Sequence, residues 1–267
     1  MLRELIDNVP LWFVIIGSFA LVIAASEIGF RLGQRRLRNP KSEEGSQVSS
    51  LTGAHLALLA FMMGFSFNMA ANHHTARKMI ILDESNAIGT AYLRADLVDG
   101  QAGDEVKKLL AEYVRVRASI GDEGVEAAFV ISESESLQTQ MWNIFDQSQQ
   151  DEQLSMAERM LLESLNEVFD LHEERVYASL RSRIPVSIWL VLTVVTVTAM
   201  MGMGYNFGIH NRRSPVATVV LALSFSLVLF LISDLDRPGV GYMRPDNTTI
   251  NQLNQRLHET GAIPEEG

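Results

Sequence analysis

From Gly45 to Ala76 the chain carries no Asp, Glu, Lys or Arg. With a rise of about 1.5 Å per residue, this is longer than the roughly 20 residues a helix needs to cross a hydrocarbon core. Within the gap, Gly53, Ala57, Ala60, Gly64 and Ala71 recur at spacings that return to nearly the same helical azimuth. One face is therefore smooth enough for another helix to approach closely, within one subunit or between two. Beside it lie Phe61, Phe65, Asn68 and Asn72, again at three- and four-residue intervals. An amide facing lipid is costly, whereas one facing protein or water is not. A chain organised around this segment is an integral membrane helical protein with the lipid bilayer as its surroundings.

Three more apolar blocks share the pattern. The first runs roughly from Val9 to Phe30, uncharged from Asn8 through Ser26, with Trp12 near one end as an interfacial anchor. Ala24-Ala25-Ser26 also resembles a signal cleavage site, but the apolar stretch is longer than an ordinary signal core. The third span is Ile184 to about Phe207 and the fourth is uncharged from Ser214 to Ser233, closed by Asp234-Leu235-Asp236-Arg237-Pro238-Gly239. Pro185 marks either a helix N-terminus or a kink.

Between the second and third spans the chain is polar and helical. The second helix is expected to continue through Met79, Ile81 and Ile88 to Leu97, where Asp99 to Gly103 form a turn. Amphipathic helices are expected at 104–120, from Val125 or Ser132 to Gln149, and from Leu154 onward, the last free to run directly into the third span. The tail contains one short helix around Ile250 to His258. This divides the chain into a first transmembrane pair (1–71), an acidic extramembrane helical domain (72–183), a second pair (184–236) and a polar tail (237–267). The fold class is all-α.

Charge follows this division. Residues 72–184 hold 21 acidic and 11 basic side chains, which accounts for the whole net charge of −10. Such a domain is repelled by nucleic acid, so no nucleic-acid partner is expected. With no cysteine there is no disulfide, thiolate metal site or catalytic thiol. The loop after the first span carries Arg31, Arg35, Arg36, Arg38 and Lys41 without an acid until Glu43, and the loop after the third carries Arg212 and Arg213. The positive-inside rule puts these short loops in the cytoplasm and the helical domain in the periplasm of a bacterial inner membrane.

The run Asp83-Glu84-Ser85-Asn86-Ala87-Ile88-Gly89-Thr90-Ala91-Tyr92-Leu93-Arg94, the Asp234-Leu235-Asp236-Arg237-Pro238 terminator and the four-span spacing resemble the bestrophin-like family of bacterial membrane proteins. The resemblance implies a homo-oligomer. Bestrophins are pentameric anion channels whose second membrane helix lines a hydrophobic neck, with apolar side chains every four residues. Phe61, Phe65 and Met69 match that spacing, and Asn68 and Asn72 would line a wider mouth; small anions would be the permeant partner. The acidic calcium clasp of animal bestrophins has no clear counterpart here. The family's fold also puts the extramembrane domain in the cytoplasm, opposite to the charge count.

Each candidate has a plainer structural alternative. The Phe face can be bundle packing, and Asn68 and Asn72 can hydrogen-bond between helices. His73, His74, Arg77 and Lys78 fit an interfacial cap, since adjacent histidines diverge by about 100° and make a poor metal pair. Asp83, Glu84, Arg94 and Asp96 read as an ion-paired helix surface, and Asp234 with Asp236 as charge ending a span. No phosphate loop, zinc motif or nucleophile constellation occurs, so no enzyme, cofactor or metal is expected. The first function is an oligomeric ion channel with a pore lined by the second span. The alternative is a non-conducting scaffold or sensor whose acidic domain binds a partner.

Overall fold

The computed structural model describes residues 10–37, 44–121, 124–148, 154–211, 213–237, 241–243 and 247–259. Among these are eight helices and no strand: α1 (Leu11–Leu37), α2 (Glu44–Ala95), α3 (Gln101–Ala118), α4 (Ala127–Ser148), α5 (Met156–Leu180), α6 (Val186–Ile209), α7 (Pro215–Asp236) and α8 (Thr248–Glu259). The loop cations Arg38, Lys41 and Arg212, the Gln149 to Asp151 turn, Pro238-Gly239 and the chain ends at 1–9 and 260–267 lie outside the described residues. The chain divides into two compact units, 1–74 with 183–244 and 75–182 with 245–267, and α2 contributes to both.

The first unit holds the membrane spans. Four helices are long and apolar enough to cross a bilayer, over Leu11–Arg36, Gln47–Ala95, Val186–Ile209 and Pro215–Asp236. Their shared core includes Val22 and Ala25 from α1, Leu59 and Met63 from α2, Leu192 and Met200 from α6, and Ala222 from α7. Among the described residues, α1 and α6 meet backbone to backbone. A Cβ on Gly29 would strike the backbone of Met201, and one on Gly204 the backbone of Ser26. A Cβ on Gly33 or on Gly208 would sit 2.9 Å from the other residue's Cα. The two Gly-x-x-x-Gly pairs therefore bring backbone against backbone, the geometry small residues permit in membranes.

The small stripe of α2 does not take part in such packing inside the chain. Gly53, Ala57, Ala60 and Gly64 are exposed, and a Cβ on Gly53 or Gly64 would meet nothing within 4 Å. Only Ala71 packs inside the unit, against the cluster of Ala70, Ile184, Ile232 and Leu235.

Two carboxylates tie off the spans. Asp236 Oδ1 accepts the Ile184 amide at 2.8 Å, just before α6 begins. Asp234 accepts the amides of Tyr242 at 2.9 Å and Met243 at 3.1 Å. Both side chains are buried, so they end a span by satisfying backbone donors. Pro185 is the N-cap of α6, not a kink. The helix from Leu154 does not run on into the third span: α5 stops at Leu180, its last turn closed by the Arg181 amide on the Tyr177 carbonyl, and α6 starts at Val186.

The second unit is a helical bundle whose core includes Ile88 and Ala91 of α2, Leu110 and Val114 of α3, Leu137 and Met141 of α4, and Leu161 and Leu165 of α5. Ile250 and Leu257 of α8 complete it, so the helix expected within a polar tail belongs to this bundle. The α2–α3 turn passes through Gly100 at φ 88°, a left-handed conformation that glycine adopts without strain. A capping box starts α5. Ser155 Oγ accepts the Glu158 amide at 3.2 Å and Glu158 Oε2 accepts the Ser155 amide at 2.6 Å.

Candidate functional site

The first unit buries one side of α2 and leaves the opposite side uncovered. Thr52, Leu59, Met63, Ser66 and Ala70 point into the bundle. Phe61 and Phe65, 69% and 49% exposed, lie on the other side with Asn68 and Asn72, which are also exposed. Met69 is half-buried against the Ala70 cluster and sits at the margin of that face. The chain thus brings Phe61, Phe65, Asn68 and Asn72 to one uncovered strip of α2 and places Met69 beside it. The small residues Gly53, Ala57, Ala60 and Gly64 flank the same uncovered side.

Near the interface, Glu27 of α1 is held by Arg31 at 2.9 Å and by Arg213 at 2.6 Å, an ion-paired end to the first span. In the second unit Arg77 is buried, and its Nη1 donates to the Ser182 carbonyl at 3.4 Å.

The second unit also contains a charge cluster that the sequence reading treated as surface. Glu84 is fully buried. Its carboxylate accepts Arg117 Nε at 2.8 Å and Nη2 at 3.3 Å, Arg175 Nη1 at 2.5 Å and the Tyr113 hydroxyl at 3.1 Å. Arg175 Nη2 continues to Asn247 Oδ1 at 3.1 Å, and Asn247 Nδ2 donates to the Ile120 carbonyl at 2.7 Å. One carboxylate on α2 thereby joins α3 and α5, with Asn247 bringing in the start of α8. Removing either partner of such a buried pair strands a charge away from water. The surface reading holds better for Asp83 and Asp96 than for the half-buried Arg94. Asp83 is exposed, Asp96 pairs with Lys107 at 2.5 Å, and Arg94 Nη1 donates to the Met160 carbonyl at 2.9 Å and to Ser164 Oγ at 2.6 Å.

His172 belongs to the same cluster, with Nδ1 3.2 Å from the Tyr113 hydroxyl. Burial, followed by the positive field of Arg117, pushes its imidazole down to about 4, so the ring is neutral at pH 7. Burial, with the nearby Glu84 carboxylate, pushes the Tyr113 phenol up, which keeps it a proton donor.

Known proteins agree with this architecture. The chain is similar to a solved membrane protein at 14% identity and a TM-score of 0.66, over 94% of this chain and 99% of that one. Two variants of a bacterial bestrophin homolog from Klebsiella pneumoniae align at 15% identity. Their TM-scores are 0.58 and 0.60, over 91% and 92% of this chain and 99% of each of theirs. None of the curated proteins matches at a significant level. The Bestrophin-like domain matches residues 19–244. With that match over most of its length, on a four-span all-α fold, the chain belongs to the bestrophin-like family of membrane proteins.

Proposed function

We propose that the protein is a homo-oligomeric membrane ion channel, conducting small anions, in which the uncovered strip of α2 lines the pore. The observation that carries this reading is the position of Asn68 and Asn72. They share an exposed side of α2 with Phe61 and Phe65, opposite the buried Leu59 and Met63. Among the described residues, no helix of the same membrane unit covers those amides, and hydrocarbon is a poor environment for them. A ring of copies around an aqueous path shelters them. Phe61 and Phe65 then form the narrow apolar part, where a pore can close by dewetting, with Met69 next to it. The flanking Gly53, Ala57, Ala60 and Gly64 supply a smooth surface for the neighbouring copy.

The test is anion efflux from liposomes containing the purified protein alone. Flux is expected, and Phe61→Ala and Phe65→Ala should increase it by widening the constriction. Absence of flux, or flux indifferent to both changes, rejects the pore and leaves the non-conducting scaffold. Sidedness is a separate measurement. On a positive-inside reading of the loop cations the short loops face the cytoplasm, and a reporter fused after Gly267 is then expected to be active in the periplasm. Cytoplasmic activity gives the orientation that the resemblance to bestrophins implies.

A further inference from the structure

Apart from any pore, His172 has one nitrogen that the fold leaves without a partner. The side chain is completely buried, Nδ1 faces the Tyr113 hydroxyl, and Nε2 has no hydrogen-bond partner. The tautomer follows from the neighbours. Tyr113 has one hydroxyl proton and donates it to Glu84, so its oxygen accepts from His172 Nδ1–H. Nε2 is then the nitrogen with the free lone pair. An unpaired buried acceptor is costly, and native structures rarely keep one without a use.

A nitrogen of His172 and one carboxylate oxygen each from Glu135 on α4 and Glu173 on α5 lie within 4.8 Å of one another. We propose that His172 Nε2, Glu135 and Glu173 form a site for a divalent transition cation of the zinc class. The donor set decides the class. An imidazole nitrogen with two carboxylates suits zinc and its first-row neighbours, whereas calcium and magnesium prefer oxygen alone. The chain from Nδ1–H through Tyr113 to the Glu84 carboxylate is the outer-shell arrangement that fixes a ligating histidine's ring and tautomer. The two glutamates are exposed, so the cation has a route to the buried nitrogen from solvent. Three protein ligands leave a coordination position for water.

The experiment uses the full-length protein in detergent, stripped with a chelator and titrated with zinc chloride in a calorimeter. One zinc per chain is expected, and neither calcium nor magnesium should compete. Glu135→Gln and Glu173→Gln alter exposed side chains, so the fold should persist, with helical circular dichroism as the check. Each should weaken zinc binding by at least about tenfold. Tyr113→Phe should weaken it by about 10–100-fold, the usual effect of losing an outer-shell partner. Failure of the wild-type protein to bind zinc, affinity unchanged in both glutamate variants, or displacement by calcium at similar concentration overturns the site. Affinity unchanged in Tyr113→Phe overturns the tautomer on which it rests.

Discussion

The Glu84 carboxylate on α2 receives Arg117 Nε from α3 at 2.8 Å, and neither side chain reaches solvent. This pair, with Arg175 as a third member, is the electrostatic centre of the second unit. Glu84→Gln keeps the shape but removes the charge that two guanidiniums need. A loss of about 3–5 kcal/mol in the stability of that unit is expected, the usual consequence of leaving a buried charge uncompensated. Hydrogen exchange read at the core of the second unit measures it. Exchange as slow as in the wild type would show that water or another anion compensates the arginines.

The His172 ring makes stability depend on pH. Its value is about 4 in the folded chain, against about 6.5 for a histidine in an unfolded one. Between these values the unfolded chain binds more protons, so stability rises with pH there. The contribution is complete above about pH 6.5 and disappears as pH falls towards 4, reaching roughly 3 kcal/mol at most. With chelator present, the thermal midpoint should fall from about pH 7 to about pH 5, and His172→Gln should flatten that part of the slope.

Glycines on different membrane helices should respond in opposite ways. Gly204→Ala pushes a methyl into the Ser26 backbone, an overpacking that should cost at least about 1–3 kcal/mol in the folding of a single chain. Gly64→Leu on α2 meets open space within the chain and should leave its own fold intact. In the proposed assembly the same leucine obstructs a neighbouring copy, so light scattering should report smaller particles. An unchanged oligomer in Gly64→Leu would remove the stripe from the interface.

Ser155→Ala removes one half of the capping box that starts α5. A loss of about 1 kcal/mol is expected, seen as fraying of the first turn in hydrogen exchange while the rest of the bundle stays protected.

The four spans were readable because a membrane demands long uncharged segments, and composition alone reveals them. The unbroken course of α2 to Ala95 was readable for a related reason, since its helical periodicity continues past the last apolar block. The burial of Glu84 was not. Its partners stand 33 and 91 residues away, and local spacing cannot announce a contact made by tertiary folding. A faint signal existed: Glu84 lies four residues after Ile80 and four before Ile88, both buried. The same distance hid the pairing of Gly29 and Gly33 with Gly204 and Gly208, because each pair looks ordinary until the other is set against it. For the metal-ligand set, Glu135 and His172 come from different helices at no recognisable interval. The uncovered strip of α2 is the reverse case, in which residue type and spacing had already placed Phe61, Phe65, Asn68 and Asn72 together.

The glycine contact between α1 and α6 bears on how the protein is made. Translation delivers α1 first and α6 only after α2 to α5 have left the ribosome. Until then the Gly29 and Gly33 face of α1 lacks the partner that Gly204 and Gly208 provide. The membrane unit is therefore completed late in synthesis, and a nascent chain stalled before its third span would present an unclosed seam to quality-control proteases.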